Sequence, residues 1–453
     1  MKLKRGKLKR GAAPGNTTIG GHDPYAALRY RDFQFLLVGR FVTSLGEQMV
    51  SFTIAWELWL RTHSELALGL VGLAQVIPIV VFSLPAGHIA DHHNRKRIVM
   101  IAQVLLMACS LSLAFLSSIE GPLILIYLSL FGIGVARSFY TPATSTLLPQ
   151  TVPPEIFTSA ATWSSSAWQL AAIIGPAIAG VVVARLHIIT EIYVFDALAG
   201  LTFLVLVTQI RGRELALSRT AATLDSLAEG LRFIRDTKVI LAAITLDMFA
   251  VLFGGAVALL PVYATDILKV GSEGLGVMRA APSIGALLMA ITLAHLPPFQ
   301  RAGRTLLLAV FGFGVATIIF GLSKTFWLSV VMLFSLGALD NISVVIRATL
   351  MLTYTPDEMR GRTSSVNSIF ISASNELGYF ESGATASIFG PVLAVVLGGI
   401  GTLIVVLSVA TRWPAMRNLT TLDAPKPDAP ETEAETLVVA MPGALPDITP
   451  GDR

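Results

Sequence analysis

Runs of about twenty mostly apolar residues recur along this chain, and no other feature restricts its fold as strongly. A helix needs about twenty such residues to cross roughly 30 Å of hydrocarbon. In lipid, only helices and closed barrels satisfy their own backbone hydrogen bonds. Twelve runs can be read, at about 35–60, 67–90, 98–118, 122–148, 157–183, 188–210, 239–267, 274–296, 305–322, 326–352, 365–388 and 390–412. Their length and lack of period-two alternation predict helices rather than barrel strands. Composition agrees. The 453 residues are 54% hydrophobic and 14% charged, against roughly 25% charge in an ordinary soluble chain. A soluble enzyme is excluded, and so is disorder over the bulk of the chain. Cys109, the single cysteine, excludes a disulfide scaffold.

The Lys and Arg count in the connections sets the expected orientation. One side holds 25 of these residues and the other side 4, with Arg40, Arg137, Arg279 and Arg347 inside spans. The basic arm MKLKRGKLKR reads as a topogenic or lipid-surface cluster rather than a nucleic-acid site. No apolar run follows it directly, so a cleaved signal peptide is not expected. Both termini are expected in the cytoplasm.

The chain divides into a basic arm (1–32), a six-helix unit (33–210), a charged cytoplasmic central loop (211–238), a second six-helix unit (239–412) and a Pro-rich, disordered cytoplasmic tail (413–453). The two units look duplicated. LFGIGVAR at Leu130–Arg137 aligns with LFSLGALD at Leu333–Asp340 at an offset of 203. Gly72 and Pro78 fall on Gly276 and Pro282 at 204, and Phe41 and Gly46 fall on Phe249 and Gly254 at 208. Serial matches at nearly one offset predict an all-α membrane fold of two pseudo-symmetric six-helix bundles, with a substrate site near the midplane between them.

The sharpest motif is Gly87-His-Ile-Ala-Asp91-His-His-Asn-Arg95-Lys96-Arg97, between the second and third spans. It resembles the loop signature of the major facilitator superfamily, with His92 and Asn94 departing from the usual base and glycine. Gly175-Pro176-Ala-Ile-Ala-Gly180 is similar to the helix-interface motif of that superfamily's exporters. LGLVGLAQVIP, Tyr140-Thr-Pro-Ala and Leu148-Pro-Gln-Thr-Val-Pro look like the branch containing the enterobactin exporter and macrolide-efflux proteins. The resemblance implies a cytoplasmic gate formed by Gly87, Asp91, Arg95, Lys96 and Arg97, which latches the bundles in the outward-open state. It also implies a role for Arg137 in proton coupling. By the internal offset, Asp91 falls on His295 and Arg97 on Arg301, so only the first copy keeps the acid.

An ionisable group at the centre of a membrane helix costs about 2.5–3.5 kcal/mol on insertion scales and marks a functional position. Arg40, Ser44, Glu47 and Ser51 form one polar stripe on the first span. Asp340 and Arg347 share a face of the tenth span, and Glu376 lies in the eleventh with Asn375 and Glu381. Symmetry puts Arg137 and Asp340 at equivalent depth, near enough to the axis to pair in one state, either as a structural tie or as a proton-coupling element. Glu57, Asp196, Asp247 and Arg279 read as snorkelling residues near span ends. Trp163 and Trp168 read either as cavity lining or as packing.

These features predict a secondary active transporter rather than an enzyme: a proton-coupled, rocker-switch exporter of a siderophore or drug-like amphipathic molecule. A lysophospholipid flippase or an uptake symporter is the alternative within transport, and a membrane enzyme or scaffold outside it. Expected partners are a small-molecule substrate, protons and the bilayer. No phosphate loop, metal spacing, cofactor or nucleic-acid site is read, and a monomer is expected.

Overall fold

A computed structural model describes residues 25–211, 224–297 and 299–420, and every regular element in them is helical. In chain order the helices are α1 (Arg31–Thr62), α2 (Glu65–His92), α3 (Arg95–Ser118), α4 (Leu123–Leu147), α5 (Phe157–Leu186), α6 (Thr190–Gln209) and α7 (Leu224–Asp236). They continue as α8 (Lys238–Phe253), α9 (Gly271–His295), α10 (Ala302–Leu322), α11 (Phe326–Tyr354), α12 (Asp357–Phe389) and α13 (Pro391–Arg412). Local signals set their ends. The Ser64 side chain accepts from Ala67 N–H and that of Asn94 from Arg97 N–H, capping α2 and α3. Gly390, at φ 83°, makes the left-handed turn from α12 into Pro391 at the start of α13.

Ten helical stretches in the described residues are long and apolar enough to cross a membrane. The other two expected spans fall in α1 and α12, which are long enough, at 32 and 33 residues, but too polar to meet the same standard. Their polar faces line the interior described below. The expected 239–267 helix is also broken. After Phe253 the chain passes through a 3₁₀ turn (Gly255–Leu259), a short helix (Leu260–Val262) and a π turn (Tyr263–Ile267). Gly254, Gly255 and Pro261 weaken the hydrogen-bond ladder there.

Packing repeats between the halves. In the first half, α1 packs on α5 and α6, α3 packs on α4 and α6, and α2 on α4. In the second, α8 packs on α12 and α13, α10 on α11 and α13, and α9 on α11. Shifting each helix by seven places maps one set onto the other, so the halves are pseudo-symmetric. The duplicated residues do the same jobs. A Cβ on Gly134 would meet Pro78 Cγ at 2.5 Å, and one on Gly337, its counterpart, would collide with the Pro282 carbonyl. Each glycine lets α4 or α11 lie over the proline of its neighbour.

The two largest contacts between the halves are α2 with α12 and α5 with α9, and they are related by the same symmetry. Both lie in the part of the molecule away from the described termini. A Cβ on Gly69 would reach Gly383 Cα at 3.0 Å, and one on Gly180 would reach Gly276 Cα at 3.1 Å. Trp59 Nε1 donates to Thr265 Oγ1 at 2.7 Å, and Arg185 pairs with Glu273 at 2.5 Å. Large apolar side chains such as Ile101, Ile124, Leu308 and Leu407 are exposed on outer helix faces, as a hydrocarbon solvent requires.

The segment read as a central loop contains α7, whose Ile234 packs with Ile240, Ile244 and Val366. Arg362 on α12 pairs with Glu229 on α7. At the other end Met416 is buried, and Ala302 N–H donates to the Thr420 carbonyl. The remaining arm (1–24), residues 212–223 and the tail (421–453) lie outside the described residues.

Candidate functional site

A polar cavity of about 240 Å³ lies where the halves meet. α1 contributes Thr43, Glu47, Gln48 and Ser51 to its lining; α2, α3, α4 and α6 add Gln75, Gln103, Ser110, Arg137 and Asp196. The second half supplies Arg279, Glu376 and Tyr379. A larger vestibule of about 680 Å³ lies nearer the termini, between α2 and α4 on one side and α12 on the other. Arg137 and Glu376 line both spaces. They therefore form the neck between them.

Arg137 Nη2 stands 3.5 Å from Glu47 Oε2, and its Nη1 donates to Gln75 Oε1 at 3.0 Å. Both side chains of this ion pair keep about a third of their surface exposed, 33% and 34%. Glu376 Oε2 is buried without a hydrogen-bond partner. Ser110 Oγ donates to Asp196 Oδ2 at 2.6 Å. Arg279 donates from Nη1 to the Ser51 carbonyl and from Nη2 to Ser51 Oγ, each at 2.9 Å, tying α9 across to α1.

The expected Arg137–Asp340 pairing is absent here. Asp340 lines a small space inside the second half with Asp247, Phe313 and Ser343. Arg347 pairs with Asp247, its Nε donating to Ser343 Oγ at 3.2 Å. Only 10% and 7% of those two side chains remain exposed. Both halves thus tie their first helix to their fourth by an ion pair, open to the cavity in one and sealed in the other. Symmetry placed the two positions at equivalent depth, but each turns into its own bundle.

Glu47 and Ser51 of the α1 stripe face the cavity, whereas Arg40 and Ser44 are not in its lining. Trp163 and Trp168 are not in it either; Trp163 meets Tyr25 at 6.0 Å between rings. Gly175 and Gly180 keep α5 close to α1 and α9; a Cβ on Gly175 would meet Gln48 Cβ at 2.7 Å. Gly87 lines the vestibule. Lys96 Nζ donates to the Thr208 and Ile210 carbonyls at 2.8 and 2.7 Å, within its own half. Arg95 and Arg97 share the first turn of α3, while the Asp91 side chain lies outside the described residues.

The snorkelling reading of four residues is corrected. Asp196 and Arg279 line the cavity, Asp247 belongs to the sealed pair, and Glu57 is buried at 6% exposure. Glu57 accepts from Tyr193 Oη at 2.7 Å and pairs with Arg61 at 2.5 Å. Tyr193→Phe is therefore expected to destabilise the first half by about 1–2 kcal/mol, because a buried charged acceptor loses a donor. Thermal melting in detergent checks this, and an unchanged midpoint would contradict it.

On the vestibule face of α12, Asn375 and Glu376 were read but the serines were not. Ser364, Ser365, Ser368, Ser372 and Asn375 line it at helical spacing. Arg279 had a signal as well, since the 204 offset that aligns Gly72 with Gly276 sets it opposite Gln75.

The sequence profile of the transmembrane secretion effector family matches residues 22–440. The chain belongs to this family of the major facilitator superfamily. Among similar secretion effectors and exporters, macrolide efflux protein A of Streptococcus pyogenes is 23% identical over 86% of this chain and 97% of its own length. The multidrug efflux pump Tap of Mycolicibacterium fortuitum is 27% identical over 78% and 89%. The enterobactin exporter EntS of Escherichia coli O1:K1 / APEC is 24% identical over 82% and 89%. Among solved structures, a bacterial homologue of the human lysosomal transporter Spinster superposes with TM-score 0.67 at 13% identity, covering 88% of this chain and 99% of that one. A bacterial homologue of the iron transporter ferroportin gives 0.65 at 18%, covering 86% and 99%. The family makes this protein a multi-pass membrane transporter, and its relatives are efflux proteins.

Proposed function

We propose that this secretion effector is a proton-coupled exporter of a siderophore or drug-like amphipathic molecule, working by rocker-switch alternating access. It acts as a monomer in a bacterial inner membrane with both termini in the cytoplasm, so the vestibule faces the cytoplasm. The observation that carries this reading is the neck, where Arg137 and Glu376 separate the vestibule from the inner polar cavity at the junction of the halves. Cargo enters through the vestibule and rests against the neck. Rocking the halves so that the Gly69–Gly383 and Gly180–Gly276 contacts part would close the vestibule and open the opposite face. Closure would bring the Gly87–Arg97 segment against the second half as a latch.

Glu47 has the attributes of the coupling acid. It is partly exposed to the cavity, and its counter-ion, Arg137, is on another helix. A movement of α4 relative to α1 would separate the two and leave the carboxylate free to take a proton. The gradient then supplies about 2.3 kcal/mol per 100 mV and about 1.4 kcal/mol per pH unit. In proteoliposomes carrying a pH gradient, Glu47→Gln is expected to abolish gradient-driven efflux of a fluorescent drug while preserving the melting temperature. Full pumping by that variant would rule out the assignment.

A further inference from the structure

The charges around the neck favour one class of cargo over the other. The titratable and charged groups facing the cavity are Glu47, Asp196, Glu376, Arg137, Arg279 and Tyr379. Arg137 is occupied by Glu47 and Gln75. Arg279 is held on Ser51 and lines the inner cavity alone, deeper than the neck. Glu376 is different. Its Oε2 is buried and accepts from no group among the described residues, although the residue stands where cargo must arrive.

A buried acceptor left unpaired costs about 1–3 kcal/mol, more when it is charged. A ligand that donates to it recovers that cost, and a ligand that carries positive charge recovers the most. Among the described residues, the vestibule leading there puts no free cation in the way of such a ligand. Apart from Arg137 and Glu376, its polar lining is hydroxyl and amide, including Ser83, Ser138, Thr141, Ser364, Ser368 and Asn375. An anionic head group would meet the Glu376 carboxylate before it could reach Arg279. With the carboxyl and guanidinium groups ionised and Tyr379 neutral, three carboxylates face two guanidinium groups among the described residues, so the cavity is complementary to one positive charge.

The geometry points to an organic monocation, an amphiphile with a protonated amine, as the cargo, with its ammonium N–H donating to the Glu376 carboxylate and its apolar part in the vestibule. A volume of about 680 Å³ falls within the usual range for drug-sized ligands, roughly 300–1,000 Å³. This assignment rests on the exporter reading and narrows it, since a polyanionic siderophore would be excluded.

The test uses the full-length protein in lipid nanodiscs at neutral pH, with three dansyl-tagged alkyl probes ending in a primary ammonium, a hydroxyl or a sulfonate. The ammonium probe is expected to bind at least about tenfold more tightly than the sulfonate probe. Glu376→Gln should weaken the ammonium probe about tenfold and leave the hydroxyl probe within about twofold. Glu376→Asp, which keeps the charge, should retain the preference and covers the case in which the amide variant does not fold. Sulfonate binding as tight as ammonium binding, or an ammonium affinity unmoved in Glu376→Gln, overturns the assignment. The same probes in proteoliposomes separate the two readings. Gradient-driven movement of the sulfonate but not the ammonium leaves the exporter standing and removes its cation preference; movement of none of the three removes both.

Discussion

Arg347→Leu is expected to destabilise the second half by about 3–5 kcal/mol, and by clearly more than Asp247→Leu. Breaking a buried ion pair costs this much because the surviving partner is left charged in a low-dielectric interior. The two deletions are not equivalent, because Asp340 lies within electrostatic reach of both Asp247 and Arg347. Removing Asp247 leaves one cation beside one remaining carboxylate, which can take over part of the pairing. Removing Arg347 leaves two carboxylates in one sealed space with no cation. The double variant Asp247→Leu/Arg347→Leu should then be more stable than Arg347→Leu alone, since it strands one carboxylate instead of two. Thermal melting of the purified variants in one detergent gives the order. If Asp247→Leu proved as damaging as Arg347→Leu, Asp340 would have no part in the cluster.

Much of the architecture was legible because it rests on hydrophobic length and on glycines that must be small. The matched glycines and prolines report helix crossings, which depend on backbone approach and therefore leave a trace at fixed spacing. Gly134 over Pro78 and Gly337 over Pro282 are one crossing built twice. Side-chain pairing left no such trace. Arg137 and Asp340 stand at equivalent positions, yet the direction of each is set by what its neighbours offer: Glu47 and Gln75 for one, Asp247 and Ser343 for the other. A linear sequence records depth along a helix better than rotation about it, because an error of one residue turns a side chain by about 100°. That is why Asp196 and Arg279, read as end-of-span residues, proved to face the interior. The serine stripe on α12 was invisible for another reason. Hydroxyls cost little in a helix, so they raise no alarm until a cavity is seen beside them.

Gly72→Val combined with Gly276→Val is expected to empty the conformation seen here. The two glycines are symmetry mates, one in each of the contacts that join the halves. A Cβ on Gly72 would collide with the Glu376 carbonyl and stand 2.8 Å from Tyr379 Cβ, and one on Gly276 would stand 2.8 Å from the Pro176 carbonyl. Backbone carbonyls cannot swing aside as a flexible side chain can. Overpacking costs about 1–3 kcal/mol per site, so the pair should cost about 3 kcal/mol, close to a hundredfold in population. The cost falls only on the state in which the halves touch on this face. The alternative state separates these contacts and escapes it, so the equilibrium must move toward closure of the vestibule. Ser368, which lines the vestibule, supplies the reporter. In a Cys109→Ser background, Ser368→Cys should react readily with a membrane-impermeant maleimide added from the termini side. The double glycine substitution should slow that reaction by about tenfold or more. An unchanged labelling rate alongside a lower melting temperature would mean that the collision is absorbed by loosening within each half. The paired glycines would then be packing devices rather than a gate that parts during the transport cycle.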